Sequence, residues 1–176
     1  MNTSPDGNRK NSYNGDLMKF GKTGERIVFD YLSRFGTVTD LTNDRNKMLA
    51  DIDFHFSGNN GSWYGEVKTD RYMGKTGNVL YEILRINHTS DLFPLTLGWS
   101  FRSEADKLFI YAPSVRKIYY ADFSVYRSGF KGVSRTVGSK FKFDVIKTDK
   151  IKSTVNVYVP NITNIFSVVD LSDNAG

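Results

Sequence analysis

Between Asp51 and Lys68 the chain switches polarity at almost every step, a pattern that few local structures accommodate. In Asp51–Phe56 the apolar Ile52, Phe54 and Phe56 alternate with Asp51, Asp53 and His55, the period of a strand with one buried face. Asn59-Asn60-Gly61 follows as a hairpin turn signal. The chain then returns through Ser62–Lys68, where Trp63, Gly65 and Val67 alternate with Tyr64, Glu66 and Lys68. With Asn60 and Gly61 at the centre of the turn, Asp53 stands opposite Lys68 and His55 opposite Glu66. One face then collects Asp51, Asp53, His55, Tyr64, Glu66 and Lys68. The other offers Ile52, Phe54, Phe56, Trp63 and Val67 to a core.

The rest of the chain sets limits on what that polar face can do. The sequence has 176 residues, enough for one domain with a substantial core. It has no cysteine, so disulfides, thiolate zinc sites and thiol nucleophiles are excluded. His55 and His88 are the only histidines, which excludes a multi-histidine metal cage. No apolar run reaches the roughly 20 residues a membrane span needs, and no basic-then-apolar signal opens the chain. The expectation is a soluble, cytoplasmic protein with no membrane partner. Aromatic residues make up 14%, so the core is expected to be aromatic-rich.

Residues 1–15 are Asn-, Ser- and Gly-rich and read as a disordered arm, with one domain over 16–176. Asp16 is a candidate N-cap for a helix to Phe35, with Gly36 just past its end. Ile27, Val28, Tyr31, Leu32 and Phe35 form its apolar stripe, and Glu25 lies on the edge of that stripe. Gly24 lets the helix lie close to a neighbour. Further strands are expected near Thr37–Leu41, Lys107–Ala112, Lys117–Ala121, Phe141–Ile146 and Val155–Val159, and Asn78–Ile86 reads as a buried strand in preference to a short helix. A short helix is expected at Asp122–Ser128, a glycine-rich loop at Ser128–Lys140 and a closing helix at Asn161–Val169.

Three carboxylates and one ammonium on a patch about 10 Å across call for a cation. Two like charges ~5 Å apart repel by about 3 kcal/mol at an effective dielectric near 20. Carboxylate, carbonyl and water oxygens are the usual Mg2+ set, and Mg2+ keeps several waters available for reaction. A lysine beside such an ion orients the attacking water and offsets charge building on phosphorus oxygens.

Asp53, followed by Glu66-Val67-Lys68 on the returning strand, resembles the core motif of the PD-(D/E)XK nuclease superfamily. The preceding Gly24-Glu25 is similar to the first helix of its Holliday-junction resolvase-like branch. The stretch Thr76–Glu82, with Gly98-Trp99 and Ala105-Asp106, is similar to segments of phage-type members. The resemblance covers roughly Lys22–Asp70. It implies an α/β, restriction-endonuclease-like αβββαβ core, its mixed central sheet flanked by helices. It also implies a Mg2+-dependent endonuclease, with Mn2+ as a substitute, acting on DNA in a bacterial or phage-infected cell and expected as a homodimer. By this resemblance Asp53, Glu66 and the Val67 carbonyl are metal ligands, Lys68 is the catalytic lysine, and Glu25 acts through a water. Ile52 stands where the motif has proline, and Asp51 leaves two aspartates competing for one ligand position, with Asp53 preferred. Glu82 is weighed as a further acid, and His55 as a partner of Glu66 or of phosphate.

From Phe123 to Lys152 eight basic residues face two acidic ones, Asp144 and Asp149, so this stretch is more positive than the whole chain at +5. Arg127, Lys131, Arg135, Lys140 and Lys142, with Lys75 after the motif, are the candidate DNA contacts. Small size favours a structure-selective, junction resolvase-like enzyme. A sequence-specific restriction-type enzyme and a non-catalytic DNA-binding module are the alternatives.

Overall fold

The computed structural model describes residues 9–89, 95–136, 142–147, 152–160 and 163–172. Helix α1 (Arg9–Leu32) leads into β1 (Gly36–Asp40), the short α2 (Arg45–Leu49), β2 (Phe54–Gly58) and β3 (Gly61–Thr69). Then come α3 (Met73–Thr76), β4 (Val79–Asn87), β5 (Leu95–Leu97) and α4 (Trp99–Arg102). The chain continues through β6 (Lys107–Ala112), β7 (Lys117–Asp122), α5 (Phe123–Thr136), β8 (Lys142–Lys147) and β9 (Lys152–Val159). A 3-10 turn at Thr163–Ile165 precedes β10 (Ser167–Asp170).

The class is α/β with a mixed sheet, as expected. Six strands lie in the order β1-β2-β3-β6-β7-β10, parallel only between β3 and β6. The strands β5-β4-β9-β8 form a second, antiparallel sheet that the sequence reading did not anticipate. Alternating patterns reveal that a segment pairs, but not with what. Both sheets share a core with α5, in which Tyr81, Val157, Leu108, Ile110 and Tyr126 pack together. The opposite face of the first sheet packs on α1 through Val28, Leu32, Phe54, Val67 and Phe109. None of the described helices is long and apolar enough to cross a membrane.

Several boundaries differ from expectation. Helix α1 begins at Arg9, so residues 9–15 are helical and Asp16 lies inside the helix rather than capping it. Once a helix is nucleated, each added residue gains a backbone hydrogen bond, and polar composition alone does not stop it. Residues 1–8 of the expected arm lie outside the described residues. Phe35 sits beyond the helix end, 59% exposed, with its ring against Tyr31. Helix α5 runs through most of the expected loop at Ser128–Lys140, to Thr136. The expected closing helix is instead the 3-10 turn and β10, which pairs with β7.

The close approach of α1 to the sheet depends on Gly24. A Cβ there would stand 1.9 Å from the Thr69 hydroxyl oxygen at the end of β3. This contact sets Glu25, the next residue, beside the C-terminal half of β3. At Gly65 a Cβ would fall 2.3 Å from the Phe54 ring, so glycine leaves that ring room against β3.

Candidate active site

The hairpin forms, but two residues out of the expected register. Its loop is Asn59-Asn60, closed by Gly58 opposite Gly61, and His55 faces Tyr64 rather than Glu66. Neither asparagine takes a positive φ; Gly61 does, at +103°, as in hairpins closed by a glycine bulge. An even shift keeps each residue on its face, which is why the core side of the hairpin is as expected from Phe54 onward.

The alternation fails at one point, and that point builds the site. Phe54 pairs with Gly65, and the Asp53 N–H also donates to the Gly65 carbonyl at 2.9 Å. Two residues against one is the geometry of a β-bulge, which re-aims side chains. Ile52 consequently leaves the Phe54 and Phe56 side and joins the core beyond the sheet's other face. The Asp53 carboxylate turns onto β3, where its Oδ2 accepts the Val67 N–H at 2.7 Å. In an extended strand the carbonyl of a residue points to the same edge as its N–H. The Val67 carbonyl therefore faces the Asp53 side of β3.

Asp53, Glu66, Lys68, Asp51 and Glu25 line one cleft of about 280 Å³, with Lys22, Thr42 and Asn43 on its walls. Glu66 is 2% exposed. Its Oε1 accepts a hydrogen bond from the Lys68 ammonium, and its Oε2 has no hydrogen-bond partner among the described residues. Burial drives the Glu66 carboxyl well above the usual range; Lys68 opposes this and Asp53 adds to it. Burial, and next the Asp53 charge, likewise raise Glu25. Burial alone would lower Lys68, but Glu66 and Asp53 together hold its ammonium protonated well beyond its ordinary range. Lys68 also lies 5.1 Å from the centre of the Trp99 ring.

Two raised carboxyls have a consequence for the metal-free protein. Above pH 4.5 the folded state holds protons the unfolded chain has released, so stability falls as pH rises. Urea midpoints measured in EDTA should decline from pH 5 to pH 7, and less steeply in Glu66→Gln. A midpoint rising over that range would mean that Lys68, not burial, governs Glu66.

The remaining candidates separate clearly. Asp51 lies at φ +48°, with both carboxylate oxygens 2.7 Å from the Arg102 guanidinium. That pair engages both oxygens of Asp51, while the Asp53 carboxylate reaches the Val67 N–H across the bulge. Glu82 is likewise committed: it accepts from Arg85 at 3.0 Å and from the Trp99 N–H at 3.3 Å. Arg127 was expected on DNA, but its guanidinium binds the Ser100 and Ser103 carbonyls at the end of α4 and stacks on Phe123. Lys75 is exposed on α3. Lys131 and Arg135 lie on α5, and Lys142 opens β8 at the edge of the second sheet. Lys140 lies outside the described residues. The sequence reading missed Lys22 and Asn43 as lining residues, and Arg102 as the partner of Asp51. For Lys22 the signal was there, since it precedes Glu25 by three positions on a helix.

Among the described residues no three acidic or imidazole groups form a ready-made metal cage. The donor chemistry nevertheless fits a hard cation. A buried carboxylate oxygen without a partner, a second carboxylate and a main-chain carbonyl are all oxygen donors. No protein-family model, curated protein or solved structure matches the chain.

Proposed function

We propose that this protein is a divalent-metal-dependent endodeoxyribonuclease with a site of the PD-(D/E)XK kind, on a restriction-endonuclease-like core. One observation carries the reading: the unpartnered oxygen of buried Glu66 shares a cleft with Asp53 and Lys68. A buried anion left half-satisfied is costly unless a cation or proton joins it. Asp53, Glu66 and the Val67 carbonyl would hold Mg2+ or Mn2+, which supplies Lewis-acid polarisation of a phosphate and a more acidic water.

The protein's own groups do the rest. Lys68, with about a third of its side chain exposed, holds its ammonium in the cleft against Glu66. There it offsets charge that builds on the phosphate oxygens as the phosphorus–oxygen bond breaks. Glu25, with its raised carboxyl, holds a water by hydrogen bonding and takes its proton. Asp51, clamped by Arg102, fixes the turn that aims Asp53. Cutting both strands of a duplex calls for two such sites, so a homodimer on DNA belongs to this reading.

The test is a panel of supercoiled, linear, single-stranded, flap and four-way-junction DNA with Mg2+ or Mn2+, beside thermal melts with each ion. Metal-dependent nicking is expected, with a melting temperature raised by either ion and no rise in Asp53→Asn. A second reading, a DNA-binding module without hydrolysis, is favoured by the Lys68–Glu66 ion pair, which partly balances the buried charge without metal. Intact DNA and an unchanged melting temperature with both ions would select it.

A further inference from the structure

A second cleft, of about 440 Å³, adjoins the acidic one and shares Glu25 and Lys68 with it. We propose that this cleft receives an unpaired nucleobase of the strand being cut, so that the substrate is DNA with an unstacked nucleotide beside the scissile phosphate. This rests on the nuclease reading above and narrows its substrate class.

The walls have the chemistry a base requires. Phe20 on α1 and Tyr72 ahead of α3 offer aromatic rings, with Leu80 and the buried Trp99 and Ile110 as apolar lining behind them. Tyr72 is 69% exposed, so its ring is available to a ligand. The Arg71 guanidinium lies 4.1 Å from the centre of the Phe20 ring, placing a cation in the same wall. Aromatic faces with an arginine are the recurring platform for single-stranded bases, because every base has a π face. The volume is that of an ordinary ligand cleft.

Continuity with the acidic cleft decides the occupant. A phosphate at Lys68 has its own nucleoside within reach of the second cleft, whose lining includes Lys68 itself. A base in an intact duplex is stacked and paired and cannot enter sideways; one that is bulged, flipped or single-stranded can. Tyr72 would then be a specificity-determining residue, acting on which DNA is taken.

The probe is a duplex carrying one unpaired 2-aminopurine, compared with the same duplex fully paired. Binding to the full-length protein is measured in EDTA and cleavage with Mg2+. The bulged duplex should bind roughly 5- to 100-fold tighter, the range base–aromatic stacking gives, with its fluorescence changed on binding. Tyr72→Ala should remove that preference and leave binding of the paired duplex unchanged; Arg71→Ala should reduce the preference. Equal affinity for the two duplexes, or an equal loss on both in Tyr72→Ala, would overturn the proposal. If both duplexes are bound and cut at the same rate, the nuclease reading stands and this inference falls. If neither is bound or cut, both fall together.

Discussion

Lys68→Ala is expected to lower metal-dependent DNA cleavage by about 100- to 1,000-fold, the usual cost of removing one group that stabilises transition-state charge. Affinity for DNA should change little, since a single cation is a small part of a phosphate-binding surface. The substitution also strips Glu66 of the ammonium on its Oε1, leaving a buried carboxylate with no hydrogen-bond partner among the described side chains. Melting temperature in EDTA should therefore fall, and decline further as pH rises, because without Lys68 the buried Glu66 carboxyl is held still higher above its ordinary range. Mg2+ should raise it by more than in the wild type, because the ion no longer competes with the ammonium. Lys68→Arg separates charge from geometry: it should keep the stability and recover little of the rate. A variant that loses binding and cleavage in parallel would make Lys68 a backbone contact and nothing more.

The second large effect concerns stability. Arg102→Ala should destabilise the fold by about 2–4 kcal/mol, since it breaks a bidentate, charge-assisted pair whose Asp51 side chain is only 12% exposed. At this chain length that corresponds to a fall in melting temperature of roughly 5–15 °C. The pair holds a strained turn, because Asp51 sits at φ +48° and its carbonyl also accepts from the Ser103 hydroxyl at 2.8 Å. Asp51→Ala should cost a similar amount, and the double substitution little more than either one. The metal-induced melting shift should survive in Asp51→Asn and vanish in Asp53→Asn. Loss of the shift in Asp51→Asn with normal stability would return Asp51 to the ligand set.

The hairpin was legible because burial acts on both of its strands at once. Phe54, Phe56 and Val67 had to share a side, and their polar neighbours followed. Its register was less legible, since Asn59-Asn60 and Asn60-Gly61 are both credible turns and differ by an even step that burial does not penalise. The bulge at Asp53 was hidden for a different reason. Ile52 reads as apolar whichever core it enters, so the pattern is the same with or without the extra residue. The pairing of Asp51 was hidden because its partner, Arg102, lies far along the chain and no local spacing links them. The basic run from Phe123 was read as one surface, but Arg127 is spent on the end of α4. Charge counted along a sequence does not show which cations have found carbonyls.

Strand β3, which carries Glu66 and Lys68, gains its parallel neighbour β6 only after the chain has passed through α3, β4, β5 and α4. Such a pairing has a high contact order and pays its loop-closure entropy before any contact rewards it. The β2–β3 hairpin can close early on its own, but Trp99, Arg102 and Ile110 arrive later. During refolding, the acids should thus meet one another well before the wall that turns them into an enclosed cleft is in place.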